Sequence, residues 1–398
     1  MARPRILILW NQVEEDVYAK MRGDDRRLEW NPEQLASEVE TVAEELDMIA
    51  DGLRSQGKDV VQVNIRDDVH AILRALEQHR PDAVMNLVDF YGDDPAAEAH
   101  IPALLELLGV PYTGARPAAL ARCQNKHRAK ALFAQDGLPT SPYVVVGARP
   151  GEERMPADHD LRFPVIVKPA LEDASVGIDL GAVVRDPAAL DRRIAATLAR
   201  HPRMPVIVEE YIDGRELHCA ILGNDPGEPL PLFEMEFFDR EGPDGKSLPK
   251  IITFHAKWDP TSRDFYAMDS RCPAKDVAPE LVAKIQDIAL RAYQVMGARD
   301  YARVDLRVDN ATGQPYILEV NPNPDLGDGG AFMQCAAASG RTFASTLDEI
   351  VEMALARAAS AKVRHARDPM LDDYVARHPA DERGADRVAD KRRGAGKG

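Results

Sequence analysis

The chain is 398 residues long, more than one ordinary hydrophobic core organises, so two or three domains are expected. Its formal net charge of -16 excludes a general nucleic-acid binder, although a nucleotide site stays open to it wherever lysines gather locally. Cys123, Cys219, Cys272 and Cys335 lie far apart without metal-ligand spacing, which points to free or buried thiols of a reducing compartment.

In chain order, Arg5–Trp10 (RILILW) is a continuous apolar run, the pattern of a strand buried on both faces of a parallel sheet. It is too short for a signal peptide or a membrane span, and no later run is long enough, so a cytoplasmic location without a membrane partner is expected. Leu35, Val39, Val42, Leu46, Ile49 and Leu53 step by four and three and predict a helix from about Pro32 to Ser55. Strands are expected at Asp59–Ile65 and Ala83–Val88, helices at Asp67–His79 and Pro95–Leu108, and a closing turn at Pro111–Gly114. Strand and helix alternating at this pace predict a parallel α/β unit.

A helical region from Ala115 to Gln135 carries Lys126 and Lys130, and Lys130 reads as a solvated helix charge. Phe163–Pro169 (FPVIVKP) reads as a strand with Lys168 at its end, a poor residue for packing there. The loop Glu172–Gly177 is small and polar, so its backbone N–H groups can approach phosphate oxygens, although it is no Walker A sequence. Pro205–Ile212 (PVIVEEYI) reads as a strand in which Glu209 and Glu210 are open to a plain reading as surface charges. A turn at Asp213-Gly214 leads to Glu216 and a strand over Leu217–Leu222. Ile251–Tyr266 starts as a strand and becomes a polar loop rooted at Lys257-Trp258, either a mobile lid or disordered. Helices are expected over 276–296 and near Phe343–Arg357, and a charged, disordered tail from about Ala361.

Chemistry is densest in Arg303–Asn323, which reads as two strands joined by a turn at Asp309–Gly313. Alternation puts Arg303, Asp305 and Arg307 on one face and Val304, Leu306 and Val308 on the other. On the second strand Glu319 and Asn321 point together, with Leu318 and Val320 opposite. Pairing across the turn brings Asp305 near Glu319 and Asn321, a set of hard oxygens beside an arginine that suits magnesium. A solvated hairpin face is the alternative.

Taken in order, these pieces resemble the ATP-grasp superfamily, and within it the D-alanine–D-alanine ligase branch. The resemblance covers roughly Asn86 to Glu352: IPALLELLGVPYTG, AALARCQNKHRAKALFAQDGLPTSPY, FPVIVKPALEDASVG, VEEYIDGREL, HAKW, ARVDLRV and YILEVNPNP. It implies an ATP-grasp fold, mixed α/β and α+β, behind an N-terminal parallel α/β domain. The expected domains are 1–114, 115–212 with the phosphate loop, 213–360 with the lid and metal site, and the tail 361–398.

The resemblance also implies roles. Lys126 and Lys168 match lysines that hold the α- and β-phosphates of ATP, and Asp173–Gly177, with Ser175, matches the loop that folds over them. Glu209, Glu210, Tyr211 and Ile212 match the segment that meets the adenine, and Glu216 the carboxylate that takes the ribose hydroxyls. Lys257 matches a lid lysine that reaches the γ-phosphate. Asp305, Glu319 and Asn321 match the magnesium ligands, two ions with manganese as a substitute, and Arg303 the arginine that stabilises the reacting centre. The implied reaction activates a carboxylate as an acyl phosphate, which an amine then attacks.

Several positions depart from the branch. Trp10–Asp16 and Asn86–Tyr91 do not match its N-terminal motifs, Ala174 replaces the first serine of the phosphate loop, and Trp258 replaces a tyrosine. Asp325 stands where a glycine is expected, and Gly330 where a serine meets the second substrate's carboxylate. The leading expectation is therefore a carboxylate–amine ligase with small-molecule substrates other than D-alanine. A D-alanine–D-alanine or D-alanine–D-lactate ligase and a non-ligating or kinase-like nucleotide binder are the alternatives. Glu14, Glu15 and Asp89 are candidates for binding the first substrate's ammonium group, and a homodimer is expected from similar proteins.

Overall fold

β1 (Arg5–Trp10) buries four apolar residues in a row, as a strand covered on both faces must. The computed structural model describes residues 3–13, 27–28, 31–35, 41–92, 94–149, 151–173, 175–202, 204–242, 245 and 247–365. β2 (Arg27–Leu28) and β3 (Asn31–Leu35) form a short antiparallel pair. This corrects the expected helix start, because α1 spans Val42–Ser55. A capping box fixes its first turn: Thr41 Oγ1 accepts from Glu44 N at 3.3 Å, and Glu44 Oε2 accepts from Thr41 N at 2.9 Å. Leu46, Ile49 and Leu53 of the expected stripe are buried, Leu35 belongs to β3, and Val39 lies outside the described residues.

β4 (Asp59–Asn64), α2 (Val69–His79) and β5 (Ala83–Leu87) complete a parallel sheet in the order β4-β1-β5. After a 3-10 turn at Pro95–Ala99 come α3 (His100–Leu107), α4 (Pro117–Gln124) and α5 (Lys126–Gln135). The helical region expected here is broken at Asn125. Its side chain caps α5 by accepting from Arg128 N at 3.2 Å, which sets Lys126 at the first helical position.

β6 (Tyr143–Val146), β7 (Val165–Pro169), β8 (Val183–Val184) and β9 (Val206–Glu210) make an antiparallel sheet, β6-β9-β7-β8. α6 (Pro187–Arg200) packs Leu190 and Ile194 against its valines.

A larger sheet follows, from β10 (Gly214–Leu222), β11 (Glu228–Pro229) and β12 (Phe233–Phe237). Then come α7 (Phe254–Trp258), β13 (Met268–Arg271), α8 (Pro279–Met296), β14 (Tyr301–Asp309) and β15 (Pro315–Asn321). Its main path is β13-β12-β10-β14-β15. Gly214 is required where β10 meets β14, since a Cβ there would collide with the Val308 carbonyl. The strand expected from Ile251 does not form, and Lys257 sits on α7 rather than in a loop, because Thr253 caps that turn by accepting from Ala256 N at 3.1 Å. Val304, Leu306 and Val308 pack onto Ile285, Ile288 and Ala292 of α8, which leaves Arg303, Asp305 and Arg307 on the opposite face.

α9 (Ala331–Ala338) and α10 (Phe343–His365) end the described chain. α10 runs past Ala361 into the stretch expected to be unstructured, and residues 366–398 lie outside the described part. Residues 1–354 and 355–398 are separate units. Cys123, Cys219 and Cys335 are buried free thiols, and Cys272 is free and partly exposed. Among the described residues no helix is long and apolar enough to cross a membrane.

Candidate active site

A cavity of about 360 Å³ opens over the polar face of the large sheet and is lined from the β6–β9 sheet as well. In its floor Asp305 stands opposite Glu319, and Arg303 opposite Asn321. The ladder slips between Asp305 and Leu306, so Leu306 faces Ile317 and Leu318 is the extra residue of a bulge. That slip corrects one expectation. Leu318 lines the cavity with Glu319 and Asn321, while Ile317 and Val320 enter the core.

Opposite charges meet across this floor. Arg303 grips Asp305 through two bonds, Nε to Oδ1 at 2.7 Å and Nη2 to Oδ2 at 2.8 Å, and Asn321 Nδ2 donates to Asp305 Oδ2 at 2.9 Å. Burial opposes the charge on Arg303, but Asp305 outweighs it and raises its pKa above the usual arginine value. Lys126 Nζ donates to Glu319 Oε2 at 3.2 Å. The Lys126 charge, against burial, holds the Glu319 carboxyl down to about 2, with help from Lys168 and Arg303. Two carboxylates and an amide thus share one small area, a donor set of hard oxygens that fits a magnesium ion. Among the described residues no group of three or more His, Cys, Asp or Glu is arranged to hold a metal, so an ion here would complete its shell from water and phosphate oxygens.

Glu209 and Glu210 are not surface charges: both are buried. Glu209 lies 2.8 Å from Lys130 Nζ and 3.2 Å from Lys168 Nζ, and it accepts from Ser141 Oγ at 2.8 Å. Burial works against its ionisation, yet the two lysines hold its carboxyl down to about 2. Lys130, read from sequence as solvated, is 1% exposed, because α5 turns it inward onto Glu209. Glu210 instead faces outward to Arg162, with Nη2 at 2.8 Å.

Glu216 is held by Arg307, whose Nε and Nη2 donate to Oε2 at 3.1 and 3.0 Å. Burial raises its carboxyl, and Arg307 and His218 more than reverse that. Arg307 lies between the rings of Tyr211 and Phe237, at 5.2 and 5.6 Å, and also donates to the Ile212 and Lys250 carbonyls. Sequence reasoning gave Arg307, Lys130 and His218 no role. The only signal was position: Arg307 shares a strand face with Arg303 and Asp305.

Ser175 takes a positive φ of 63°, and the loop closes on itself as Val176 N donates to Asp173 O at 2.9 Å and Ile178 N to Ser175 O at 3.0 Å. Phe254 N of α7 donates to Ile178 O at 3.0 Å, so the segment bearing Lys257 rests on this loop. Lys257 lines the cavity, with its ammonium 5.0 Å from the Trp258 ring centroid. Every residue expected to bind nucleotide or metal, or to act in catalysis, lines the cavity except Gly177, which is packed behind the loop against Pro169 and His201, while Asp89, a candidate for the substrate's ammonium, is not among the lining residues. Ala174 lies outside the described residues.

Beyond Arg303 the surroundings turn acidic. Asn323 takes a hydrogen bond from Tyr301 Oη at 2.8 Å and reaches Asp89 Oδ1 at 3.4 Å. Asp89 is sunk among surrounding chain although its side chain is open to solvent, and with Asp325 and Asp173 nearby its carboxyl is pushed up to about 7. Burial and Asp89 raise Glu98 well above the usual carboxylate range. Glu14 and Glu15 lie outside the described residues.

The family model described as D-ala D-ala ligase C-terminus matches residues 132–352. The D-alanine–D-alanine ligase of Desulforudis audaxviator is 31% identical over 77% of this chain and 90% of its own length. An uncharacterised protein of Sinorhizobium fredii, y4sG, is 37% identical over 64% of this chain and 69% of its own. Among solved structures, the D-alanine–D-alanine ligase of Bacillus anthracis complexed with ATP superposes with a TM-score of 0.63 at 19% identity, covering 90% of this chain and 99% of that one.

Proposed function

This chain belongs to the D-alanine–D-alanine ligase family of ATP-grasp enzymes, which join a carboxylate to an amine, and we propose how its cavity does so. One observation carries the reading: Lys126, Lys168, Lys257, Arg303, Asp305 and Glu319 line a single cavity. ATP lies with its adenine against Glu209–Ile212, its ribose hydroxyls on Glu216 and its phosphates among the three lysines and the Asp173–Gly177 loop. Asp305, Glu319 and Asn321 hold magnesium, which when bound offsets phosphate charge. A carboxylate oxygen of the first substrate attacks the γ-phosphorus, ADP leaves, and the acyl phosphate is attacked by an amine. The amine loses a proton and phosphate departs, leaving an amide. Arg303 faces the negative charge that develops in both steps. α7, seated on the phosphate loop, keeps water from the acyl phosphate.

For the substrates, D-alanine in both roles has the better support, because curated relatives aligned along most of this chain carry that name. A second reading, with a different acceptor, is favoured by one observation. Asp325 lies close enough to raise the pKa of Arg303, and Gly330 offers no hydroxyl to a carboxylate there. Phosphate release from Mg-ATP with D-alanine alone, then with pools of amino acids and amines and mass spectrometry of each positive, separates the two. Release needing two components establishes the ligase. ATP binding without release across every pool contradicts it.

A further inference from the structure

His218 lies in the centre of the cavity floor and has no part in the reading above. On β10 it is flanked in register by Phe233 of β12 and Asp305 of β14, with Glu319 next on β15, so one row of side chains crosses four strands. The imidazole is 3% exposed and stacked on Phe233, with centroids 5.2 Å apart and planes at 18°. Its Nε2 lies 3.4 Å from Glu216 Oε1, and its Nδ1 lies 3.8 Å from Asp305 Oδ1. Glu216, the nearer of the two, accepts from Nε2 in the tautomer that leaves Nδ1 as an acceptor. Nδ1 is buried and has no hydrogen-bond partner among the described residues. The atom it faces is a carboxylate oxygen. Asp305 Oδ1 already accepts from Arg303 Nε at 2.7 Å, so Nδ1 is the acceptor left without a donor, and buried polar atoms are rarely left so.

We propose that His218 is a positioning residue that ties the metal to the nucleotide. Its Nδ1 accepts a hydrogen bond from a water carried by the magnesium on Asp305, and its Nε2–H holds Glu216 towards the ribose. The inference rests on the Mg-ATP reading of this cavity. Outer-shell partners orient the groups that bind a metal, and losing one lowers metal affinity about 10- to 100-fold. A stacked core histidine without this role would change stability alone when replaced.

The test is calorimetric binding of ADP and 2′-deoxy-ADP to the full chain, with and without Mg²⁺, which needs no turnover. Wild type binds ADP more tightly with Mg²⁺ and prefers it to the deoxynucleotide. His218→Phe, which keeps the stacking, reduces the Mg²⁺ enhancement about tenfold and narrows the ribose preference. His218→Asn, whose amide sits where Nδ1 does, keeps the enhancement and loses the preference, and His218→Gln, whose amide reaches the Nε2 position, does the reverse. An unchanged enhancement in His218→Phe overturns the proposal and leaves the ATP reading intact. A wild-type chain that binds no ADP overturns both. Should His218→Phe fail to fold, equal enhancement in His218→Asn and His218→Gln overturns the proposal.

Discussion

Lys126, at the first position of α5, donates to Glu319 Oε2 on β15 across 193 residues of sequence, at 3.2 Å. A lysine proposed for phosphate therefore rests on a carboxylate proposed for metal. The pair keeps both groups charged and in place before substrates arrive, and Mg-ATP supplies each with a stronger partner. Lys126→Met removes the largest influence holding the Glu319 carboxyl near 2. Phosphate release is expected to fall about 100-fold or more, with weaker ADP binding, in steady-state assays and calorimetry.

Arg303→Lys keeps a positive charge but cannot form the two-pronged grip on Asp305. If Arg303 meets charge that develops only during reaction, kcat falls about 100-fold while ADP affinity changes little. A loss confined to ADP affinity would assign Arg303 to ground-state binding instead.

Lys130 and Glu209 are 1% and 2% exposed, so removing Lys130 leaves a buried carboxylate with only Lys168 to offset its charge. Lys130→Met is expected to destabilise by about 3–5 kcal/mol in denaturant titration, and the double variant Lys130→Met/Glu209→Leu to recover part of that. The pair also gives a pH signature. The folded pKa of Glu209, about 2, lies below its ordinary 4.5, so its contribution is present above about 4.5 and is lost as pH falls towards 2. Glu209→Gln flattens that part of the stability profile.

Asp89 runs the other way. Although its side chain is exposed, the chain packed around it, Asp325 and Asp173 push its carboxyl up to about 7, with Lys257 opposing. If it binds a substrate ammonium, that substrate's KM falls as pH rises through about 7. Asp89→Asn raises KM at pH 8 and removes the dependence. Unchanged KM in Asp89→Asn would place the ammonium elsewhere.

Much of this site is legible in the residue order, because alternation on two strands and a five-residue turn bring these side chains close. The turn's register alone would set Asp305 opposite Leu318, and the one-residue bulge there brings Glu319 opposite instead. Leu318 is misread because a one-residue bulge reverses alternation, and nothing in YILEVN marks where a ladder slips. The late start of α1 had a signal, the Thr41–Glu44 capping box, which the longer apolar stripe masked. Lys130 and His218 could not be placed: an inward lysine and an outward one look alike in a helix, and only the fold brings Glu209 and Asp305 to them. No strand forms at Ile251, and β12, which alternates in FEMEF, was not expected from the sequence.

The reaction itself is tested most directly with D-alanine carrying ¹⁸O in its carboxylate, incubated with Mg-ATP and followed by ³¹P NMR and mass spectrometry. An acyl-phosphate route transfers one labelled oxygen to the released phosphate and yields the D-alanyl dipeptide. The same label in phosphate, obtained only when another amine is added, would keep the route and change the acceptor. Phosphate released without label, or a phosphorylated product with no free phosphate, would contradict a carboxylate–amine ligase.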